Sequence, residues 1–286
     1  MNYPSIPLRT RLLVGCTLAL FAAAAMADDA VSISDGGFAL STPDDPEVAQ
    51  PEAWNFVVGA GVVNRPTFPG ASGTKTEGVP ILGASYGRFF IGESLDAASL
   101  ISLGAYLYRD NHWRLGVALT YDFLQPREES DDPHLTGLGD IDRSAHVEAF
   151  GVFTYDWLIA RSSVVADIGE KQRGTWVTFD VLGRYLPTPQ WVLVAGPGLK
   201  LGTTEYNRTF FGVDADQSAR SGLPVYSPGS GLNLLRFSAA ARYHPTVNWN
   251  FAASVTAGRL QGDSSNSPIV QKKDQVTYAL AANYRF

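Results

Sequence analysis

Hydrophobic and polar residues alternate one by one over long stretches of this chain. In 275–286, QVTYALAANYRF, Val276, Tyr278, Leu280, Ala282, Tyr284 and Phe286 fall on one side, and Thr277, Ala279, Ala281, Asn283 and Arg285 on the other. A period of two is the mark of a β-strand with one apolar face. Read this way, the chain predicts twelve strands, at 54–63, 79–86, 88–93, 98–108, 112–123, 144–156, 161–171, 174–186, 190–203, 231–244, 248–262 and 275–286. Short turns are expected near Gly87 and at 109–111, 157–160, 187–189 and 245–247, alternating with longer connections at 64–78, 94–97, 124–143, 172–173, 204–230 and 263–274. Short turns on one side, long loops on the other and an even strand number describe an all-β fold. It is a closed antiparallel transmembrane barrel of about twelve strands, with short periplasmic turns and longer extracellular loops.

The two faces of each strand say which side meets lipid. In 112–123, Trp113, Leu115, Val117, Leu119, Tyr121 and Phe123 oppose Arg114, Gly116, Ala118, Thr120 and Asp122. In 174–186, Val177, Phe179, Val181 and Tyr185 oppose Thr178, Asp180 and Arg184. In 231–244, Phe237, Ala239, Ala241 and Tyr243 oppose Arg236, Ser238, Arg242 and His244. An Arg or Lys on the lipid face near the midplane costs roughly 2–4 kcal/mol, so the charged face is the lumen. The expected lumen charges are therefore Arg114, Asp122, Asp180, Arg184, Arg236, Arg242 and Arg285. They either pair into a plug-like network or line a narrow aqueous channel; a barrel this small favours the network.

The turns separate a membrane barrel from a soluble one. YLPTPQW (185–191) and YHPTVNW (243–249) share the pattern Tyr-x-Pro-Thr-x-x-Trp, and YRDNHW (108–113) and YDW (155–157) are shorter versions. Tyr and Trp have an apolar body and a polar tip and prefer the membrane–water boundary. Recurring only at short turns, Trp113, Tyr185, Trp191, Tyr243 and Trp249 read as an aromatic girdle rather than as the end plugs of a soluble barrel.

The N-terminus supplies the compartment. Arg9 and Arg11 precede the apolar run LLVGCTLALFAAAAM, and Ala25-Met26-Ala27 is an A-x-A cleavage site, so 1–27 reads as a signal peptide. Cys16, the one cysteine, lies inside that run, which continues past it, so it reads as part of the h-region and not as a lipidation site. Beyond it, no run reaches the roughly 18 apolar residues of a membrane helix. The whole chain has 22 basic and 28 acidic residues; without Arg9 and Arg11 the balance is 20 to 28. Residues 28–53 hold Asp28, Asp29, Asp35, Asp44, Asp45, Glu47 and Glu52 with no Lys or Arg, and read as an acidic flexible periplasmic leader ahead of a nearly neutral barrel at 54–286. Nothing resembles the basic stripe of a nucleic-acid binder.

Candidate chemistry is sparse. Of the four histidines, His112 and His244 belong to the short-turn side, and His134 and His146 to the outer side, where no nucleophile-elbow pattern accompanies them. Glu128, Glu129, Asp131, Asp132, Asp140 and Asp142 cluster in one loop, but their spacing is not that of a Ca²⁺ loop, and they read as a solvated acidic loop. Gly137 and Gly139 suit a tight turn there, with Asp140 and Asp142 able to bond nearby amides. GPGLKLG (196–202) lies in a strand, lacks the phosphate-loop pattern and reads as close packing inside the barrel. No catalytic residue, metal or cofactor is assigned.

Four stretches carry a resemblance: PGASGTKTEGVPILGASYGRFF (69–90), LTGLGDIDRSAHVEAFG (135–151), FFGVDADQSARSGLPVYSPGSG (210–231) and DSSNSPIV (263–270). They resemble the MltA-interacting protein/OmpV family. The resemblance implies an outer-membrane β-barrel, in contact with outer-membrane lipids, without a catalytic motif. The family's namesake is a scaffold joining a lytic transglycosylase to a bifunctional penicillin-binding protein on peptidoglycan, and some relatives are linked to antibiotic response and osmotic adaptation. The terminal strand, with Tyr284 and Phe286, also resembles the signal read by the outer-membrane barrel-assembly machinery. The expected function is a non-enzymatic scaffold for murein synthesis and remodelling. The alternative is a narrow channel or small-molecule-binding barrel.

Overall fold

The computed structural model describes residues 53–92, 102–122, 124, 126–169 and 173–286. The expected signal peptide and nearly all of the acidic leader lie outside the described residues, as does 93–101. Twelve strands run through the described chain: β1 (Asn55–Pro66), β2 (Thr74–Tyr86), β3 (Phe89–Gly92), β4 (Ser102–Arg109), β5 (Trp113–Tyr121), β6 (Ala145–Tyr155), β7 (Leu158–Asp167), β8 (Thr175–Thr188), β9 (Trp191–Gly202), β10 (Gly231–Tyr243), β11 (Trp249–Leu260) and β12 (Asp274–Arg285). Each is antiparallel to its chain neighbours, and β1 pairs with β12, so the sheet closes into the expected barrel. The seam runs from Val57 opposite Arg285 to Asn64 opposite Tyr278, and the N–H of Phe286 extends it by donating to the carbonyl of Phe56 (3.0 Å).

The strand boundaries differ from the expected ones at the outer end. The loop read at 64–78 shrinks to 67–73, because β1 runs on to Pro66 and β2 begins at Thr74. Arg65 pairs with Lys75 in register and its Nε donates to Glu77 at 2.7 Å, so polar side chains hold strands that project beyond the apolar band. At the other end the turn read at 157–160 tightens. Asp156 takes a left-handed conformation (φ 50°), which lets β7 begin at Leu158.

Outside, Val58, Leu103, Leu119, Phe179, Phe237 and Leu280 are exposed, an apolar surface for which lipid is the solvent. Inside, the core is the lumen itself. Val152, Ile159, Leu182 and Val194 form one apolar cluster toward the short-turn end. Phe90, Tyr106 and Phe150 form a second, with ring centroids 5.1–6.1 Å apart. Val57, Val63, Val79, Ile81 and Ala279 form a third.

The long connections contain three short α-helices: α1 (Thr204–Phe211), α2 (Ala215–Ser221) and α3 (Gly262–Asn266). Thr203 caps α1, Asp214 caps α2 with Gln217 completing a capping box, and Gly222 in a left-handed conformation ends α2. Helices this short are marginal alone. They are held by a cap core in which Phe68, Leu135, Leu138, Val213 and Ile269 from four loops bury one another.

Two strand glycines make room for the lumen aromatics. A Cβ on Gly116 would run into the ring of Phe150, and one on Gly104 into the ring of Phe90. Overpacking of this kind costs about 1–3 kcal/mol. We therefore expect Gly116→Val to lower the temperature at which the compact, fast-migrating form converts to the unfolded one on detergent gels. Gly78→Ala, which has open space around it, serves as the neutral control.

Candidate functional site

Two buried clusters of charge and the two ends of the barrel are the places where this chain could act. The first cluster runs along the inner wall of the barrel across four neighbouring strands. Asp180 on β8 sits opposite Arg161 on β7, and opposite Gly198 on β9, which in turn faces Arg236 on β10. Arg161 Nε donates to Asp180 Oδ2 at 2.9 Å; Arg236 Nε and Nη2 donate to Oδ1 and Oδ2 of the same carboxylate, each at 2.9 Å. Gly198 has to be glycine for this: a Cβ there would meet the Asp180 carboxylate and Arg236 Nε. Ser163–Thr178 and Ser238–Thr256 hydroxyl pairs, both 3.0 Å, continue the polar belt around the wall.

The expected lumen charges therefore divide. Arg114, Asp180 and Arg236 are buried, and the latter two meet. Arg184 lies nearer the short-turn mouth, where its Nη2 donates to the carbonyl of Asp156 at 2.7 Å. Arg242 and Arg285 are half-buried at that same end. Sequence reasoning missed Arg161 and Glu148, both buried on lumen-facing positions. Extending the alternation to the sixth and seventh strands would have found them.

Asp122 joins a second cluster at the outer rim. His146 Nε2 lies 2.9 Å from Asp122 Oδ1, and Arg173 bridges Asp122 (3.1 Å) and Asp167 (3.5 Å). The edge of Trp176 meets the His146 ring at 5.2 Å. Ser144 completes a superficially catalytic set, but its hydroxyl donates to Asp167 Oδ1 at 2.5 Å rather than to His146. A nucleophile has to be bonded to its base. This cluster instead ties the outer ends of β5, β6 and β7 to the segment entering β8.

The acidic loop is not simply solvated, which corrects the sequence reading. The Glu129 carboxylate accepts the N–H groups of Gly137 (2.7 Å) and Gly139 (3.1 Å), both held at positive φ. Asp140 accepts from Glu129 N–H (2.6 Å), Asp132 from His134 N–H (2.8 Å), and Asp131 pairs with Lys75 (3.1 Å). The carboxylates are spent on backbone amides and one lysine because the loop turns back on itself and has no strand ladder to satisfy them.

At the short-turn end the aromatics meet across hairpins rather than within them. Trp191 stands opposite Tyr243 and stacks on it at 4.7 Å; Trp249 stands opposite Tyr284 and meets it edge-on at 5.2 Å. Phe286 packs edge-on against Tyr284 at 4.9 Å, and Trp113 against Phe153 at 4.8 Å. Tyr185 stands exposed on the barrel wall. In the turn after β4, the slight burial of Asp110 opposes its ionisation. Hydrogen bonds from the Tyr108 hydroxyl and the His112 and Trp113 N–H groups outweigh it and hold the carboxyl below its ordinary range.

A sequence model described as MltA-interacting protein MipA matches residues 58–286. The MltA-interacting protein of Escherichia coli (strain K12) is 26% identical over 190 residues, 64% of this chain and 73% of that protein, and the one of Shigella flexneri gives the same figures. Among solved structures, the outer membrane channel DcaP of Acinetobacter baumannii aligns at TM-score 0.38 with 9% identity, covering 82% of this chain and 96% of that one. The Pseudomonas putida toluene transporter TodX aligns at TM-score 0.39 with 8% identity, covering 91% and 99%. With its family model spanning nearly the whole described chain, and a closed barrel whose outside is apolar, this chain belongs to the MltA-interacting protein MipA family and is a bacterial outer-membrane β-barrel.

Proposed function

We propose that the barrel is a non-conducting, non-enzymatic anchor that serves the murein machinery from the periplasmic side. The observation that supports this reading is the pairing and packing of buried side chains on the inner wall. The Arg161–Asp180–Arg236 bridge spans strands β7 to β10, and the Val152, Ile159, Leu182 and Val194 cluster lies between it and the short-turn mouth. Side chains tied down in this way narrow the space that a channel would need for water. The hydroxyl of Ser144, turned away from His146, supports the non-enzymatic half. The related proteins of Escherichia coli and Shigella flexneri are named for interaction with MltA. The resemblance adds a lytic transglycosylase and a penicillin-binding protein as the partners this barrel serves. The acidic stretch 28–53, which lies outside the described residues except for Ala53, is the proposed contact. Tyr284 and Phe286 are the proposed assembly signal.

Four outcomes test this. Reconstituted into planar bilayers, the protein should give no steady ionic current; a stable conductance level would replace the anchor with a channel. Asp180→Asn removes the charge of the carboxylate that accepts from both Arg161 and Arg236. Removing one partner of a buried pair costs about 3–5 kcal/mol, so the gel-shift temperature should fall well below that of the parent. Deleting 28–53 should weaken co-purification of a lytic transglycosylase from cross-linked envelopes, and raised salt should do the same, because exposed charges are screened beyond about 8 Å at physiological ionic strength. Charge-neutral changes in 204–230, on the opposite end, should leave it untouched. Phe286→Ala should slow insertion and lower the outer-membrane level of the protein, while the deletion of 28–53 should not; normal insertion of Phe286→Ala would remove Phe286 from the assembly signal.

A further inference from the structure

The extracellular cap contains a cleft of about 690 Å³ between the 127–142 loop and the α1–α2 region. Its size is that of a small-molecule site. Leu138, Val213 and Tyr226 give it an apolar side, and Arg127 and Arg208 line it as well.

Arg127 is out of place as a purely structural residue. It is 2% exposed, yet its Nε and Nη1 have no hydrogen-bond partner, and Nη2 reaches only the Gly139 carbonyl at 3.4 Å. Among the described residues no carboxylate is ion-paired with Arg127 or with Arg208. The Asp140 charge favours the charged form of Arg127 but makes no ion-pair contact with it, and a buried polar group without a protein partner is completed by water or a ligand. Burial lowers the Arg127 pKa to about 10, which leaves it charged at neutral pH. The third arginine of the cleft, Arg173, is already committed to Asp122 and Asp167.

Three acids also line the cleft, and their states differ from that of Arg127. Asp140, Asp142 and Asp214 are exposed. Asp140 accepts from Glu129 N–H and Asp214 from Gln217 N–H, the latter as the cap of α2. Water screens these exposed carboxylates strongly and the buried guanidinium of Arg127 weakly, so an anion placed beside Arg127 is attracted more strongly than it is repelled by the more distant exposed acids.

We propose that this cleft binds a small organic carboxylate with an apolar body. The acid group meets Arg208 directly and lies in the field of Arg127, and the apolar body lies against Leu138, Val213 and Tyr226. The site is separate from the murein reading and stands whether or not that reading does.

Calorimetry on the full-length refolded protein, with phenylacetate as the probe and phenylacetamide as its uncharged isostere, tests the proposal. Phenylacetate should bind and the amide should bind at least about tenfold more weakly, as expected for loss of a charge-assisted contact. Arg127→Met keeps the apolar stem and removes the charge. It should cause a similar loss while the faster migration of the unheated barrel persists, and Arg208→Ala should weaken binding several-fold. Equal binding of acid and amide overturns the proposal. So does an Arg127→Met protein that folds and binds phenylacetate like the parent, and so does the absence of measurable phenylacetate binding at millimolar concentration. If Arg127→Met fails to fold, the acid–amide comparison on the parent and the Arg208→Ala titration decide alone. Displacement of phenylacetate by equimolar inorganic phosphate would overturn the apolar half of the recognition.

Discussion

An open strand edge in hydrocarbon leaves a row of N–H and C=O groups with no partner, at several kilocalories per mole each, so the seam between β1 and β12 is the contact on which this molecule depends. The rest of the plan follows from closing it. Antiparallel closure with an even number of strands brings Asn55 and Arg285 to the same end, and alternate connections then fall at alternate ends. The end that holds both ends of the sheet also holds the tight turns. There the cross-strand pairs Trp191–Tyr243 and Trp249–Tyr284 both lie close to the tight turns. The last strand takes part in that ring: Tyr284 is the partner of Trp249, as Tyr243 is of Trp191.

Closure also creates the problem of the lumen. Inward side chains of neighbouring strands bury one another, and charges buried there lose water and have to be paired. Asp180 answers with two arginines on one carboxylate, in a gap left by Gly198. An apolar filling would be at least as stable by itself. It would, however, make both faces of every strand apolar, and a one-residue slip in register would then go unpenalised. We read the buried charges as what fixes the register: a slip would turn Asp180 and Arg236 into lipid, at roughly 2–4 kcal/mol for the arginine alone. The apolar clusters can afford to sit inside because the polar belt has already set which face is which.

The strands were legible in the sequence wherever the two faces differed in chemistry, as in β5, β8, β10 and β12. Legibility failed where they did not. In β7 the outward residues Ala160, Ser162 and Ala166 contrast weakly with the inward Arg161 and Ser163, which is why Arg161 went unread and the strand was started late. Residues 64–66 and 74–78 continue the strands with mostly polar residues on both faces, so the period of two disappears there although the ladder continues. The cap helices are too short to announce themselves by periodicity and exist through a core assembled from four loops. The role of Glu129 depends on where two positive-φ glycines aim their amides, which no spacing rule reports. The turn motifs were read as hairpin pairs, since Tyr and Trp flank one turn in the sequence; the register shows that the stacking partner comes from the next hairpin.

The two ends of the barrel are built for different work. The outer end is covered by loops with their own buried core, cross-tied by contacts such as His134 Nε2 to the Pro268 carbonyl (2.9 Å) and Gln217 to the Leu138 carbonyl (2.8 Å). A surface of that kind holds its shape, which suits a cleft for a small ligand. The inner end has tight turns spaced around a ring, with exposed aromatics such as Tyr185, Trp191 and Trp249 beside them. A specific protein interface needs roughly 800 Å² from each partner. No single tight turn offers such an area, so a periplasmic partner has to gather several turns at once or engage the chain ahead of β1. Contact through several turns would depend on the rigid spacing of the barrel and tolerate salt, whereas contact through seven acidic residues would weaken as salt rises. The salt dependence of partner binding therefore reports which part of the molecule is the adhesive one, independently of any substitution that could disturb the barrel.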